Sequence, residues 1–196
     1  MSAASPSQPG LDARREHERK KYVALAAAPG SRYGATNHGA AAMPLVQRFK
    51  PRLVVDFGCG RNDFIGALRR LNIDGLGIDF AFPEADVPRP MHKTGLLDGV
   101  ADVVTSFDAL EHLLPEDVDA VLAEMRRVAR PGGHFIFSIC TRPSRVTVGG
   151  EGLHPTVQPL GWWLERIGRF GTVTAAKGEG RYIVGRIAAK EGCGCA

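Results

Sequence analysis

The chain has no apolar stretch of about eighteen residues, the shortest that reads as a membrane-spanning helix. Residues Met1 to Gly10 are polar and lack the apolar core of an export signal, so a cytoplasmic location is the expectation. Cysteine is scarce: four in 196 residues, at spacings that make no disulfide framework. Cys59 sits in a glycine turn, Cys140 ends an apolar run, and Cys193 and Cys195 fall in a Gly-rich end. That end (191–196) reads as a flexible tail, with soft-metal or redox chemistry as the sharper alternative. A strong charge of either sign is lacking too. The net charge is +4, and from Arg14 to Lys21 acids are interleaved with bases, as on a solvated helix face. The excess permits an anionic partner without requiring one, and a nucleic-acid patch is the alternative. There is no internal repeat and no sign of a second domain.

What is present suffices for one folded unit. With 44% hydrophobic residues the chain can bury a core without metals or disulfides. Residues 1–10 are expected to be disordered and 11–190 to form a single domain, with 11–50 as an N-terminal helical lid. Within the lid, helices are predicted from Leu11 to Ala28 and from Ala40 to Phe49, around the turn Ser31 to Gly39. Then β-branched runs begin to alternate with helical periods. Leu53–Phe57, Leu76–Ile78, Asp102–Ser106 and His134–Ile139 read as strands buried in a parallel sheet. Asn62 or Asp63 is expected to cap a helix whose apolar face is Ile65, Leu68 and Leu71. Pro115 opens another, with Val118, Val121, Leu122, Met125 and Val128 on one stripe, stopped at Pro131-Gly-Gly133. Trp162–Ile167 looks helical. Strands near 172–176 and 182–187, divided by Lys177-Gly-Glu-Gly180, suggest an antiparallel hairpin. The expected fold is therefore α/β: a doubly wound, mostly parallel sheet ending in an antiparallel C-terminal hairpin. Such sheets bind ligands beyond the carboxyl ends of their strands.

The first strand runs into Asp56-Phe-Gly-Cys-Gly60. Glycines allow a tight turn and close approach of a ligand, and the helix behind offers free N–H groups. Asp79 lies at the end of the next strand, where an acid hydrogen-bonds a ribose in adenosine-type sites. A dinucleotide site calls for a third glycine where this chain has Asp63, an acid that repels phosphates. Asp56 instead suits a ligand carrying an ammonium group and a sulfonium. That combination favours S-adenosylmethionine over NAD.

Four segments carry a family resemblance: Val54-Val-Asp-Phe-Gly-Cys-Gly60, Gly77-Ile-Asp79, Phe107-Asp-Ala-Leu-Glu-His-Leu113 and Arg127-Val-Ala-Arg-Pro-Gly-Gly133. Together they resemble the motifs of class I (Rossmann-like) S-adenosylmethionine-dependent methyltransferases, of the type 11/12 kind, over roughly residues 45 to 140. The resemblance implies S-adenosylmethionine as cofactor and S-adenosylhomocysteine as product. It implies that Gly58 and Gly60 pack against the methionine part and that Asp56 sits near its amino group. Asp79 would bind the ribose hydroxyls and Asp86 the adenine amine, with Val87 against the ring. Phe80, Ser106 and Phe107 would border the cofactor.

Methyl transfer to a hydroxyl or protonated amine is helped by a base. His112 is the first candidate and His154, in the Pro-bounded loop Leu153-His-Pro-Thr-Val157, the second, with Glu111 beside them. His38 could cover the site. The spacing of Glu111, His112 and His154 matches no metal-ligand motif, so no metal is expected. Trp162 and Trp163 could stack on a planar substrate, or one could belong to the core. Arg142 and Arg145 could recognise a phosphate or carboxylate, or be solvated. The expected reaction is methylation of an O or N atom of a small molecule. Nucleic-acid methylation is the alternative, although the Asn/Asp-Pro-Pro-aromatic segment of base-modifying enzymes is replaced by Ser106-Phe-Asp-Ala109. A cofactor-binding protein without catalysis is the other.

Overall fold

The structure, a computed structural model, describes residues 10–31, 33–35, 39–176 and 182–187. The expectations for residues 1–9, for His38, for the turn 177–180 and for the Cys193/Cys195 tail lie outside the described residues. A six-stranded sheet organises the chain in the order β2-β1-β3-β4-β8-β7. β1 (Leu53–Phe57), β2 (Asp74–Ile78), β3 (Ala101–Phe107) and β4 (Ala129–Ser138) are parallel, and β8 (Ile183–Ile187) runs antiparallel to both β4 and β7 (Gly171–Ala176). This is the mostly parallel sheet with a C-terminal antiparallel pair that the patterning predicts. A two-residue hairpin, β5 (Thr147–Val148) with β6 (Glu151–Gly152), stands apart in the loop after β4.

Alternation along the strands builds two cores. Val55, Phe57, Val104, Phe135 and Phe137 face α4 (Val118–Val128) and α5 (Leu160–Gly168), whose Leu122, Met125, Trp163 and Ile167 are buried there. Val54, Val103, Ile136 and Val184 face the opposite way, onto α2 (Met43–Arg48) and α3 (Asp63–Arg70) through Val46, Phe64, Ile65 and Leu68. Each such side chain contributes roughly 1.5–3 kcal/mol through burial.

α1 (Leu11–Ala27) ends one residue short of its predicted limit. Its charged run is not merely solvated: Arg14 and Arg15 pair with Glu116 and Asp117 ahead of α4, and Lys21 is buried against Glu18. Among the described residues, no helix is long and apolar enough to cross a membrane.

Several local expectations are corrected. Asn62 does precede α3, but in the left-handed region (φ 66°) and without a side-chain cap. Its amide instead donates to the Glu84 carbonyl and to Asp86. Leu71 is 45% exposed, and Phe64 takes its place on the buried face. Pro131-Gly-Gly133 belongs to β4 itself, which begins at Ala129 with an irregularity in its pairing to β3. Strand–helix alternation also fails between β2 and β3. Residues 79–100 hold no helix, because Pro83, Pro88 and Pro90 remove donors and disfavour helix in the residues before them. The chain there touches the sheet through a single parallel bridge, Ile78 to Val87. Beside that bridge Asp86 accepts the Gly77 N–H and an Arg69 N–H, and Arg69 also donates to the Gly75 carbonyl.

Candidate cofactor and acceptor site

The chain crosses from the β2 side of β1 to the β3 side, so strand order reverses there, and a crevice opens beyond the two carboxyl ends. On the β1 side the turn is made by Gly58 (φ 78°) and Gly60 (φ 54°). The N–H groups of Gly58 and Cys59 both donate to the Ile78 carbonyl, which pins the turn against the end of β2. A Cβ on Gly60 would stand 2.8 Å from the Gly34 carbonyl oxygen, so the segment at Gly34 lies directly on the turn. Arg61 holds it there, its backbone N–H donating to Gly34 and its guanidinium to the carbonyls of Tyr33 and Ser31.

A cavity of about 420 Å³ fills the crevice. Two carboxylates wall its cofactor end. Asp79 accepts N–H bonds from Gly60 (3.1 Å) and Ala81 (2.8 Å). Burial still holds its carboxyl above the ordinary range, with those N–H bonds pulling the other way. Asp56 is buried, accepting a 2.7 Å bond from the Thr105 hydroxyl. Its carboxyl is pushed up to about 7, chiefly by burial and further by the charge of Asp79, while Thr105 opposes the shift. A pair of buried acids of this kind is matched by a ligand that brings a cation and hydroxyl donors.

Of the expected cofactor residues, Asp56, Gly58, Gly60, Asp79, Phe80 and Phe107 line the cavity. Asp86, Val87 and Ser106 do not. Asp86 is committed to Asn62, Gly77 and Arg69, which hold its carboxyl below the usual range although desolvation opposes them. Val87 is the bridge residue, and Ser106 is buried with its hydroxyl on the Phe57 carbonyl.

The acceptor end is walled by Glu111, His112 and His154. Glu111 follows β3 in a single 3₁₀ turn and is fully buried, with Oε1 accepting the Cys140 N–H at 3.0 Å. Burial pushes its carboxyl up to about 8. His112 donates from Nδ1 to the Leu153 carbonyl (2.7 Å), which also receives the Tyr22 hydroxyl. Burial lowers its imidazole to about 4, so it is neutral near pH 7. His154 is half-buried and donates from Nδ1 to the Arg142 carbonyl; the two histidine rings lie 4.8 Å apart, edge to face. Arg142 and Arg145 do not line the cavity, although Ser144 and Val146 between and beside them do. Trp163 is a core residue and Trp162 lies under the Arg166 guanidinium, so neither tryptophan faces the cavity.

The lining residues that the sequence does not single out include Tyr22, Phe82, Met91 and Cys140. Tyr22, a lone aromatic in a charged helix, was a usable signal. Met91 sits in the proline-rich loop, where no periodicity points anywhere. Cys140 closes an apolar run, with no motif around it to mark it.

The comparisons with known proteins agree with this geometry. The family described as "Methyltransferase domain" matches residues 55–137, the stretch from β1 to the end of β4 that contains the glycine turn, Asp79 and Glu111. That segment, from β1 to β4, is similar to the methyltransferase domain. Over 107 residues the chain is 34% identical to a ubiquinone biosynthesis O-methyltransferase of Methylococcus capsulatus. That match covers 46% of this chain and 44% of the relative, so the chain spans less than half of the curated relative's length. Among solved structures, the 1,6-didemethyltoxoflavin-N1-methyltransferase of Burkholderia thailandensis, with S-adenosylhomocysteine bound, superposes with a TM-score of 0.66. It is 13% identical, over 95% of this chain and 93% of that one. The N-methyltransferase NodS of Bradyrhizobium japonicum, also with S-adenosylhomocysteine, gives 0.59 at 12% identity, over 89% and 99%. At such identities these structures speak for the fold. The cofactor of the family is S-adenosylmethionine.

Proposed function

We propose that this methyltransferase chain moves the methyl group of S-adenosylmethionine to an oxygen or nitrogen atom of a small molecule. The observation that carries the reading is one continuous cavity joining Asp56, the glycine turn and Asp79 to Glu111, His112 and His154. Asp56 suits the ammonium group of the cofactor, Gly58 and Gly60 its methionine chain, and Asp79 its ribose hydroxyls. Bound there, the cofactor supplies an already activated sulfonium methyl. The protein's remaining work is to orient the acceptor in line with it and to keep water out. Tyr22, Tyr33 and Phe82 on the lid side serve exclusion, and the acceptor faces Glu111, His112 and His154.

The charge of the lining supports a small, neutral or cationic acceptor. Among the described residues five carboxylates (Asp56, Asp63, Asp79, Asp108, Glu111) line the cavity, and no lysine or arginine does. A phosphate-bearing acceptor, nucleic acid included, would find no cationic side chain there to receive it.

Calorimetric titration with S-adenosylmethionine and S-adenosylhomocysteine, with NAD as control, tests the reading. Micromolar binding of both sulfur ligands, lost in Asp79→Ala, is the expected result. Tighter binding of NAD, or none of either sulfur ligand, overturns it.

A further inference from the structure

One group of side chains at the acceptor end has more chemistry than positioning requires. Glu111, Cys140 and His154 each place one potential ligand atom within 4.8 Å of the others. They arrive from three segments: the turn after β3, the second residue beyond β4, and the loop after β6. Cys140 is a free thiol whose sulfur makes, among the described residues, only a long, 3.7 Å contact to the Arg142 carbonyl. Glu111 is 0% exposed, and its second oxygen, Oε2, is buried with no hydrogen-bond partner among the described residues. An oxygen so placed costs the protein its hydration without return. His154 spends its Nδ1–H on a backbone carbonyl at 2.6 Å, which leaves the lone pair on Nε2. Metal-ligating histidines are held in this way.

We propose that Glu111, Cys140 and His154 bind a divalent transition-metal ion of the zinc type, with one coordination position open to the cavity. A thiolate, an imidazole and a carboxylate form a borderline-soft donor set, which suits zinc and not magnesium or calcium. Three protein ligands and one open position are the arrangement of catalytic rather than structural zinc. A second cluster, His17, Glu18 and Glu151, makes the contrast. It is largely exposed, and Lys21 already supplies its cation, 2.8 Å from Glu18 and 3.6 Å from Glu151.

The use of the site rests on the methyltransferase reading. The open position takes the oxygen of a hydroxyl-bearing acceptor, whose proton passes to solvent as the oxygen coordinates. The oxygen then attacks the methyl carbon, so that a C–O bond forms as the C–S bond breaks. The bonding pair stays on sulfur, giving neutral S-adenosylhomocysteine and the methyl ether.

The test uses the full chain with Cys193→Ser and Cys195→Ser, so that the tail thiols cannot compete. Titration with Co²⁺ is expected to give one equivalent bound, with a near-ultraviolet thiolate-to-cobalt absorption that Zn²⁺ displaces. Cys140→Ser should abolish that absorption and weaken Zn²⁺ binding by more than about 100-fold, beyond what loss of an outer-shell partner costs. His154→Gln, in a half-exposed loop, should weaken binding while the sulfur signal persists, and it serves if Cys140→Ser fails to fold. Absence of stoichiometric binding, or a cobalt signal undiminished in Cys140→Ser, overturns the proposal. A cofactor titration on the same sample separates the two readings. Cofactor binding without metal binding removes the metal site alone. Metal binding without cofactor binding leaves the site and removes the methyltransferase reading.

Discussion

The Thr105 hydroxyl donates a 2.7 Å hydrogen bond to Asp56 at the floor of the cavity, the one side-chain bond that offsets the burial of that acid. The sign of the pH effect follows from the shift. Asp56 titrates near 7 in the folded chain, above its ordinary 3.8. The folded state therefore holds the proton more tightly than the unfolded one. The stability this gives is complete below about 4 and is lost as pH rises through about 7.

A ligand ammonium group reverses the preference, because it requires the ionised carboxylate. Affinity for S-adenosylhomocysteine is expected to rise about fivefold between pH 6 and 7, then to fall at higher pH as the ligand's α-amino group loses its proton. Asp56→Asn should keep only the falling limb. Thr105→Val should move the rising limb to higher pH and weaken binding at pH 7 by roughly tenfold, in line with a hydrogen bond to a charged group. Calorimetry across pH 5.5 to 8.5 (~0.5-unit steps) checks this, and a rising limb unchanged in Asp56→Asn would contradict it.

Gly60→Ala is expected to damage the site from two directions. The left-handed backbone (φ 54°) disfavours any Cβ, and that Cβ would press on the Gly34 oxygen at 2.8 Å. A loss of about 1–2 kcal/mol in thermal stability should accompany a cofactor affinity reduced by at least about tenfold. Unaltered affinity would show that the Gly34 segment does not rest on the turn as described.

Asp79→Ala and Asp86→Ala should separate two acids that look alike in sequence. Asp79 lines the cavity, whereas Asp86 does not and is spent on Asn62, Gly77 and Arg69. Loss of Asp86 is expected to cost about 1–3 kcal/mol in a denaturant melt, from unpaired N–H groups, with a smaller loss of cofactor affinity than Asp79→Ala. Equal losses of affinity would return Asp86 to the adenine contact implied by resemblance.

The cofactor half of the cavity was legible because it is local. A buried strand, a glycine turn and an acid ending the next strand follow one another within Asp56 to Asp79, and each leaves a residue type that few other structures require. The mostly parallel sheet with its closing antiparallel pair was legible for a similar reason, through period-two and helical stripes. The acceptor half was legible in part: Glu111, His112 and His154 stand out as candidates and line the cavity, whereas Tyr22 and Cys140 are distant in sequence and join them only through folding. Nothing in the letters around Cys140 announces that its backbone N–H will face Glu111. The helix missing between β2 and β3 had a signal in three prolines, outweighed by the habit of strands and helices to alternate. Asn62 shows the opposite error: a good capping residue whose amide is claimed by Glu84 and Asp86.

The claim Asp86 and Arg69 make on β2 has a consequence for the protein in a crowded solution. β2 is the last full strand on its side of the sheet, and such a strand is a template for pairing with another chain. Here the outward N–H of Gly77 is taken by Asp86, its carbonyl by the Val87 N–H, and the Gly75 carbonyl by Arg69. Two side chains and one bridge residue do what a further strand would do. They blunt that edge against a second molecule, which disfavours growth of the sheet from its β2 side.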